Sequence, residues 1–180
     1  YAKGIELRGK KIGIIGFGRI GRETAKLALG LGMEVLAFDL YKVPDELELQ
    51  LAGNVQVNVP LKSVTMYDLL SQSDFISLHV PFSEQPVLGE AEFKSMKMGV
   101  GIINCSRGGT VDESALLDAL NSGKVSFVGL DVFENEPTPH PDILTHPRVS
   151  LTPHIGASTN EAQERVGVEL ANLIIHFFRK

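Results

Sequence analysis

Tryptophan is absent from this chain of 180 residues and cysteine occurs once. The single thiol, Cys105, cannot form an internal disulfide and offers no multi-cysteine metal site. That usage suits a reducing compartment, so the cytoplasm is the expected location. No apolar run approaches the ~18 residues of a spanning helix. The amino terminus, Tyr1-Ala2-Lys3-Gly4, lacks the basic-then-apolar pattern of a signal peptide. Positive charge is scarce as well: 17 Lys and Arg stand against 22 Asp and Glu, a net charge of −5, and no Lys/Arg block occurs. Nucleic acid and anionic membrane surfaces, which need clustered positive charge, are therefore not the expected partners. Internal repeats and flexible linkers are missing too. With 43% hydrophobic and 22% charged residues the chain has the makings of one compact, acidic domain.

Short apolar runs of strand length and β-branched or aromatic content occur at Ile12–Ile15, Val35–Phe38, Val55–Val59, Phe75–Val80, Val100–Ile103, Val125–Leu130 and Val149–Leu151. Helical patterns lie between several of them, at Ile20–Leu31, Ser63–Leu70 and Glu113–Asn121, and a long one, Asn160–Phe178, closes the chain. About seven near-continuous apolar strands alternating with helices imply a doubly wound α/β fold, a parallel sheet with helices on both faces. Pro137, Pro139, Pro141 and Pro147 mark 134–147 as a rigid surface loop without regular structure. Leu116, Leu117 and Leu120 read as core, and so does most of the set Val168, Leu173, Ile174, Phe177 and Phe178. The last helix is nonetheless apolar enough to suggest contact beyond this chain.

Directly after the first strand stands Gly16-Phe17-Gly18-Arg19-Ile20-Gly21, with the helical series Ile20, Thr24, Leu27, Leu31 starting inside it. The first glycine permits the tight turn, the second admits a pyrophosphate to the backbone and the third lets helix and strand pack closely. An acid, Asp39, closes the second strand about 20 residues on, where a carboxylate accepts from the adenosine ribose hydroxyls. It would repel a 2′-phosphate, which favours NAD over NADP, although Lys42 lies close by in sequence. The bland alternative is a structural glycine turn with Asp39 as a strand-end cap.

Three further strand ends carry chemistry. Asn104-Cys105-Ser106-Arg107-Gly108-Gly109 follows the fifth strand, the acids Asp131, Glu134 and Glu136 follow the sixth, and Thr152-Pro153-His154-Ile155-Gly156-Ala157 follows the seventh. Open α/β sheets put ligands at the carboxyl ends of strands. Oxidation of an alcohol needs a base, for which imidazole is suited, with a carboxylate to fix its tautomer and a guanidinium to clamp a substrate carboxylate. Arg107, Glu136 and His154 offer that set; taken singly, they also read as a phosphate or salt-bridge residue, a solvated acid and a half-buried histidine. His79, before Val80-Pro81, reads as a cofactor contact or a strand cap, and these three join Ser106 on the cofactor side. His140, His146 and His176 have no partners at ligand spacing, so no metal site is expected.

The segments GIIGFGRIG, NCSRGGTVDE, GLDVFENEP and TPHIGASTNEAQ together resemble the NAD-binding domain of the D-isomer-specific 2-hydroxyacid dehydrogenases across nearly the whole chain. The Gly108-Gly109 pair and GASTNEAQ are most similar to the branch that oxidises 3-phosphoglycerate. The resemblance implies that Arg107 binds the substrate's carboxylate and carbonyl oxygen, that Glu136 pairs with the histidine, and that His154 is the acid/base. It also implies that Asp131 holds the nicotinamide amide while Cys105 and the Gly156-Ala157 backbone line its pocket. A separate substrate domain outside residues 1–180, a homodimer formed through the cofactor domains and a small 2-hydroxy acid as substrate are further implications. The segment LHVPFSEQPVLGE departs from the family pattern at Ser83, Pro86 and Gly89. Glyoxylate/hydroxypyruvate reductases and D-lactate dehydrogenases are the enzymatic alternatives, and an NAD(H)-sensing corepressor is the alternative from another class.

Overall fold

The computed structural model describes residues 4–179. Seven strands form one parallel sheet: β1 (Lys11–Ile15), β2 (Glu34–Phe38), β5 (Lys62–Ser63), β6 (Phe75–Leu78), β7 (Val100–Asn104), β8 (Val125–Leu130) and β9 (Val149–Leu151). Their order is β5-β2-β1-β6-β7-β8-β9, so the winding reverses between β1 and β6. Ligands of doubly wound sheets bind in the crevice at such a reversal. Neighbouring strand ends align, Leu78 with Asn104, Asn104 with Leu130 and Leu130 with Leu151, which brings the loops after β6, β7, β8 and β9 to one edge.

Alternate residues of each strand serve opposite faces. Ile15, Leu36, Ile76, Leu78, Ile102, Val128 and Leu130 pack under α2 (Met66–Gln72), α3 (Glu90–Ser95), α4 (Glu113–Asn121) and α5 (Pro141–Thr145). Ile12, Ile14, Val35 and Ala37 face α1 (Arg19–Gly30). Each fully buried aliphatic side chain contributes about 1.5–3 kcal/mol. In α1 the series Ile20, Leu27, Leu31 does not face the sheet: Ile20 and Leu27 are 70% and 71% exposed. The buried stripe is Gly21, Ala25 and Ala28. Small residues at this spacing bring the helix axis close to the strands, so the larger side chains are left outside.

The run expected as a third strand of the sheet has another place. β4 (Gln56–Pro60) pairs antiparallel with β3 (Glu46–Gln50) in a separate ribbon, with Leu47 opposite Val59 and Leu49 opposite Val57. The reason is visible in the alternation Glu46, Leu47, Glu48, Leu49: one face packs on the α1 side of the core and the other meets water. Ser63, expected to open a helix, ends β5, and α2 starts after Thr65, whose hydroxyl accepts from the Asp68 N–H. The proline-rich stretch is not wholly irregular. Pro141 occupies the first turn of α5, where its missing N–H costs nothing, and the His140 ring caps that helix.

The final helix, α6 (Asn160–Phe178), has the expected bounds but not the expected burial. None of its residues is buried, and Val168, Leu173, Ile174, Phe177 and Phe178 are exposed rather than core. An exposed ion pair, Arg19–Glu169 at 3.6 Å, links it to α1. No helix among the described residues is long and apolar enough to cross a membrane.

Candidate active site

The crevice beside β1 is framed by the glycine turn. Gly16 has φ +90°, which favours glycine, and a Cβ on it would run into the His79 carbonyl. Gly21 packs on the Gly16 carbonyl with no room for a Cβ, whereas the space beside Gly18 is open. Gly18 stands at the N-cap position of α1, and no side chain among the described residues bonds the helix start, so the first-turn N–H groups are available to an anion. Arg19 and Ile20 project outward from that turn. Asp39 locks it: Oδ2 accepts from the Phe17 N–H at 2.6 Å and Oδ1 from the Tyr41 N–H at 2.9 Å. Lys42 leans towards Asp45, 3.9 Å away. A dinucleotide fits these residues, with open backbone for the pyrophosphate and a carboxylate with acceptor capacity left for the ribose.

His79 donates its backbone N–H to Ile15 at the base of the turn, and its ring nitrogen Nε2 lies 2.9 Å from the Ser77 hydroxyl. Burial pushes the imidazole pKa down, which favours the neutral ring. Val80 is half-buried, with its side chain beside Gly16, and Pro81 is exposed just beyond.

At the neighbouring strand ends the structure brings Glu136 and His154 into contact, with Glu136 Oε2 at 2.8 Å from His154 Nδ1. An ionised carboxylate only accepts, so Nδ1 carries the proton and Nε2 is left free. The His154 bond, then the Phe133 N–H to Oε1 at 3.0 Å, hold the Glu136 carboxyl below its ordinary range. His154 itself sits at φ +54°, a left-handed conformation costly for a residue with a Cβ.

The group that enforces this conformation is Asp131, only 2% exposed. Its Oδ1 accepts from the Thr152 hydroxyl at 2.6 Å and the Ile155 N–H at 2.8 Å; its Oδ2 accepts from the Gly156 N–H at 2.7 Å. Donors on both sides of His154 thus converge on one carboxylate. Burial pushes Asp131 up, but those three hydrogen bonds and the nearby His154 outweigh it and hold the carboxyl below its ordinary range. Pattern reading missed this role, because nothing in the spacing says which strand-end N–H groups need an acceptor.

Arg107 is on the adjoining loop but does not join the pair. Its Nη1 donates to the Ser106 carbonyl at 2.6 Å, and no described hydrogen bond or ion pair connects it to Glu136 or His154. The loop itself is tightly held: Asn104 Nδ2 and the Thr110 hydroxyl both donate to the Arg107 carbonyl, and the Ser106 N–H and hydroxyl donate to Asn104 Oδ1. Burial, then the charge of Asp131, pushes the Cys105 thiol up, which argues against a thiolate nucleophile. Ala157 lies just past Gly156, exposed, in the turn before α6.

Residues 1–156 match the family described as D-isomer specific 2-hydroxyacid dehydrogenase, NAD binding domain. The chain is 47% identical over 178 residues to a hydroxypyruvate reductase of Thermotoga maritima, covering 96% of this chain and 54% of the relative. It is 44% identical over 177 residues to a D-3-phosphoglycerate dehydrogenase of Archaeoglobus fulgidus, covering 96% of this chain and 32% of the relative. Among solved structures it is similar to a glyoxylate reductase from Paecilomyes thermophila, with TM-score 0.81 and 41% identity over 93% of this chain and 48% of that one. The chain therefore spans about half the length, or less, of these proteins.

Proposed function

The chain belongs to the D-isomer-specific 2-hydroxyacid dehydrogenases as an NAD-binding domain, and from that premise we propose that it carries the cofactor and the reacting side chains of an enzyme interconverting a D-2-hydroxy acid and its 2-oxo acid. The leading substrate is 3-phosphoglycerate, oxidised to 3-phosphohydroxypyruvate on the way to serine. The observation that carries the reading is the His154–Glu136 pair, 2.8 Å apart, at the carboxyl edge of the sheet that also presents the glycine turn.

NAD, when bound, would supply the hydride acceptor for the oxidation and, in its reduced form, the donor for the reverse reaction. The turn Gly16–Gly21 holds the pyrophosphate and Asp39 the ribose, with NAD preferred over NADP. With Nδ1–H committed to Glu136, His154 Nε2 takes the proton from the substrate hydroxyl in oxidation and gives it back to the carbonyl oxygen in reduction. Glu136 stabilises the imidazolium that forms. Arg107 turns from the Ser106 carbonyl to the substrate carboxylate, a bidentate match. Asp131 keeps one acceptor position on Oδ2 for the nicotinamide amide, and Cys105, Ser106, His79, Val80, Pro81, Gly156 and Ala157 line the cofactor side. The rest of the enzyme supplies a substrate domain forming the opposite wall of the cleft and the groups for the phosphate. A cytoplasmic homodimer through the cofactor domains completes the proposal. A second reading, reduction of hydroxypyruvate or glyoxylate, is favoured by the 47% identity to a hydroxypyruvate reductase.

The test compares kcat/KM of the complete protein on 3-phosphoglycerate, D-glycerate and glycolate with NAD. Preference for the phosphorylated acid is expected, and preference for either of the others transfers the assignment to the second reading. In the same enzyme His154→Ala should lower kcat by about 10²- to 10⁴-fold with NADH affinity retained; an unchanged kcat removes His154 from the mechanism. The 180-residue chain alone should bind NADH without turnover, since orientation of the substrate is worth about 7–11 kcal/mol of barrier.

A further inference from the structure

Glu113 is buried, 6% exposed, at the start of α4, where an acid serving only the helix dipole would sit in water. Its Oε1 accepts from the Glu134 N–H at 2.8 Å, and its own N–H donates to Glu134 Oε1, also at 2.8 Å. The two glutamates thus exchange side-chain-to-backbone hydrogen bonds across 21 positions of sequence. The remaining oxygen, Oε2, is buried with no partner among the described residues. Leaving a carboxyl oxygen unpaired in the interior is costly, and helix capping does not explain it, since Asp112 already caps α4 by accepting from the Ala115 N–H.

The position of this exchange explains it better. Glu113 follows the loop that carries Arg107, while Glu134 lies between Phe133 and Glu136. A second contact binds the same two loops, for a Cβ on Gly108 would fall on the Phe133 carbonyl. Phe133 donates its N–H to Glu136, and Glu136 holds His154. We propose that Glu113 and Glu134 form a latch between the Arg107 loop and the Glu136 loop, making both positioning residues for the His154–Glu136 pair; the inference rests on the reaction proposed above. Burial pushes the Glu113 carboxyl up, as does the Glu134 carboxylate, while the Glu134 N–H and His140 oppose the shift. A neutral group at Oε2 therefore suits the site, and an amide carbonyl can still accept from Glu134.

The experiment reads the His154 tautomer by ¹⁵N NMR in the 180-residue chain, with NADH affinity as the check on folding, for Glu113→Gln, Glu113→Ala, Glu134→Ala and the reference Glu136→Ala. The latch predicts that both glutamate-to-alanine changes lower the Nδ1–H population in the direction set by Glu136→Ala. Glu113→Gln keeps the wild-type spectrum, and NADH affinity stays within about 2-fold. In the complete enzyme the alanine variants lose on the order of 10-fold or more in kcat, the scale of a misplaced catalytic group. If Glu113→Ala fails to fold, Glu134→Ala still decides, because its side chain is exposed. Wild-type tautomers in Glu113→Ala and Glu134→Ala, with a changed one in Glu136→Ala, overturn the latch and leave the proposed chemistry standing. An unchanged tautomer in Glu136→Ala overturns the pairing itself, and the latch with it.

Discussion

The glycine turn and the His154 cluster occupy the same edge of one sheet and are held by different means. The turn is made of backbone and space: Gly16 at positive φ, Gly21 against the Gly16 carbonyl, an uncapped helix start, and one carboxylate, Asp39, bonding a turn N–H. All of it lies within the first βαβ unit. The cluster is made of carboxylates that reach between loops: Asp131 to both sides of His154, Glu136 to Phe133 and His154, Glu113 and Glu134 to each other. The turn proposed to hold the cofactor's pyrophosphate is a rigid local motif. The imidazole proposed to exchange a proton sits in a hydrogen-bonded frame, whose carboxylate Glu136 occupies one ring nitrogen and leaves the other free.

A pair of glycine substitutions separates the two regions most sharply. Gly21→Ala would press a methyl group on the Gly16 carbonyl, and Gly108→Ala on the Phe133 carbonyl, each costing about 1–3 kcal/mol or more. We expect the first to weaken NADH binding about 10-fold or more and to leave the His154 tautomer unchanged, and the second to do the reverse. NADH titration and ¹⁵N NMR on both variants check this; equal loss of NADH affinity in the two would show that the regions are not independent.

Asp131→Asn probes the cluster and leaves the glycine turn intact. An amide in place of the carboxylate keeps one acceptor oxygen but turns its NH2 donor on either the Ile155 or the Gly156 N–H, and the expected loss is about 1–3 kcal/mol in a urea titration at pH 7. Because the folded carboxyl titrates below its ordinary range, its contribution is fully present at neutral pH and is lost as pH falls through that lowered value. The gap between wild type and variant should therefore close in acid; a gap that widens would contradict the direction of the shift.

The smallest effect is expected at the turn's acid. Asp39→Ala should narrow the preference for NADH over NADPH by on the order of 10-fold, about 1.4 kcal/mol, and weaken NADH itself because the Phe17 N–H loses its acceptor. Calorimetry with both cofactors measures it, and an unchanged ratio would remove Asp39 from cofactor choice.

Much of this molecule was legible as pattern. The bounds of α4 and α6, the strand β8, the glycine turn and the acid after β2 follow from hydrophobic period and turn chemistry, which act over a few residues. The ribbon β3–β4 was legible too, since Glu-Leu-Glu-Leu alternates where a buried parallel strand runs continuously apolar; treating Val55–Val59 as a sheet strand passed over that difference. Burial was less legible. The apolar series of α1 faces outward because Gly21, Ala25 and Ala28 let the helix approach the sheet, and α6 keeps its apolar residues exposed although its period reads as core.

A doubly wound sheet, a glycine turn and the three loop-bearing strand ends are readable along the chain, since each is written in local backbone preference. Which of those side chains meet depends on the packing of the folded chain. It joined Glu136 to His154, left Arg107 on its own loop, and gave the carboxylates of Asp131, Glu113 and Glu134 to backbone N–H groups beyond β9, beyond β8 and at the start of α4, respectively. Those donors meet their acceptors only once segments 18 to 24 residues apart lie side by side, and a carboxylate's partner is set by that packing rather than by its neighbours in the chain.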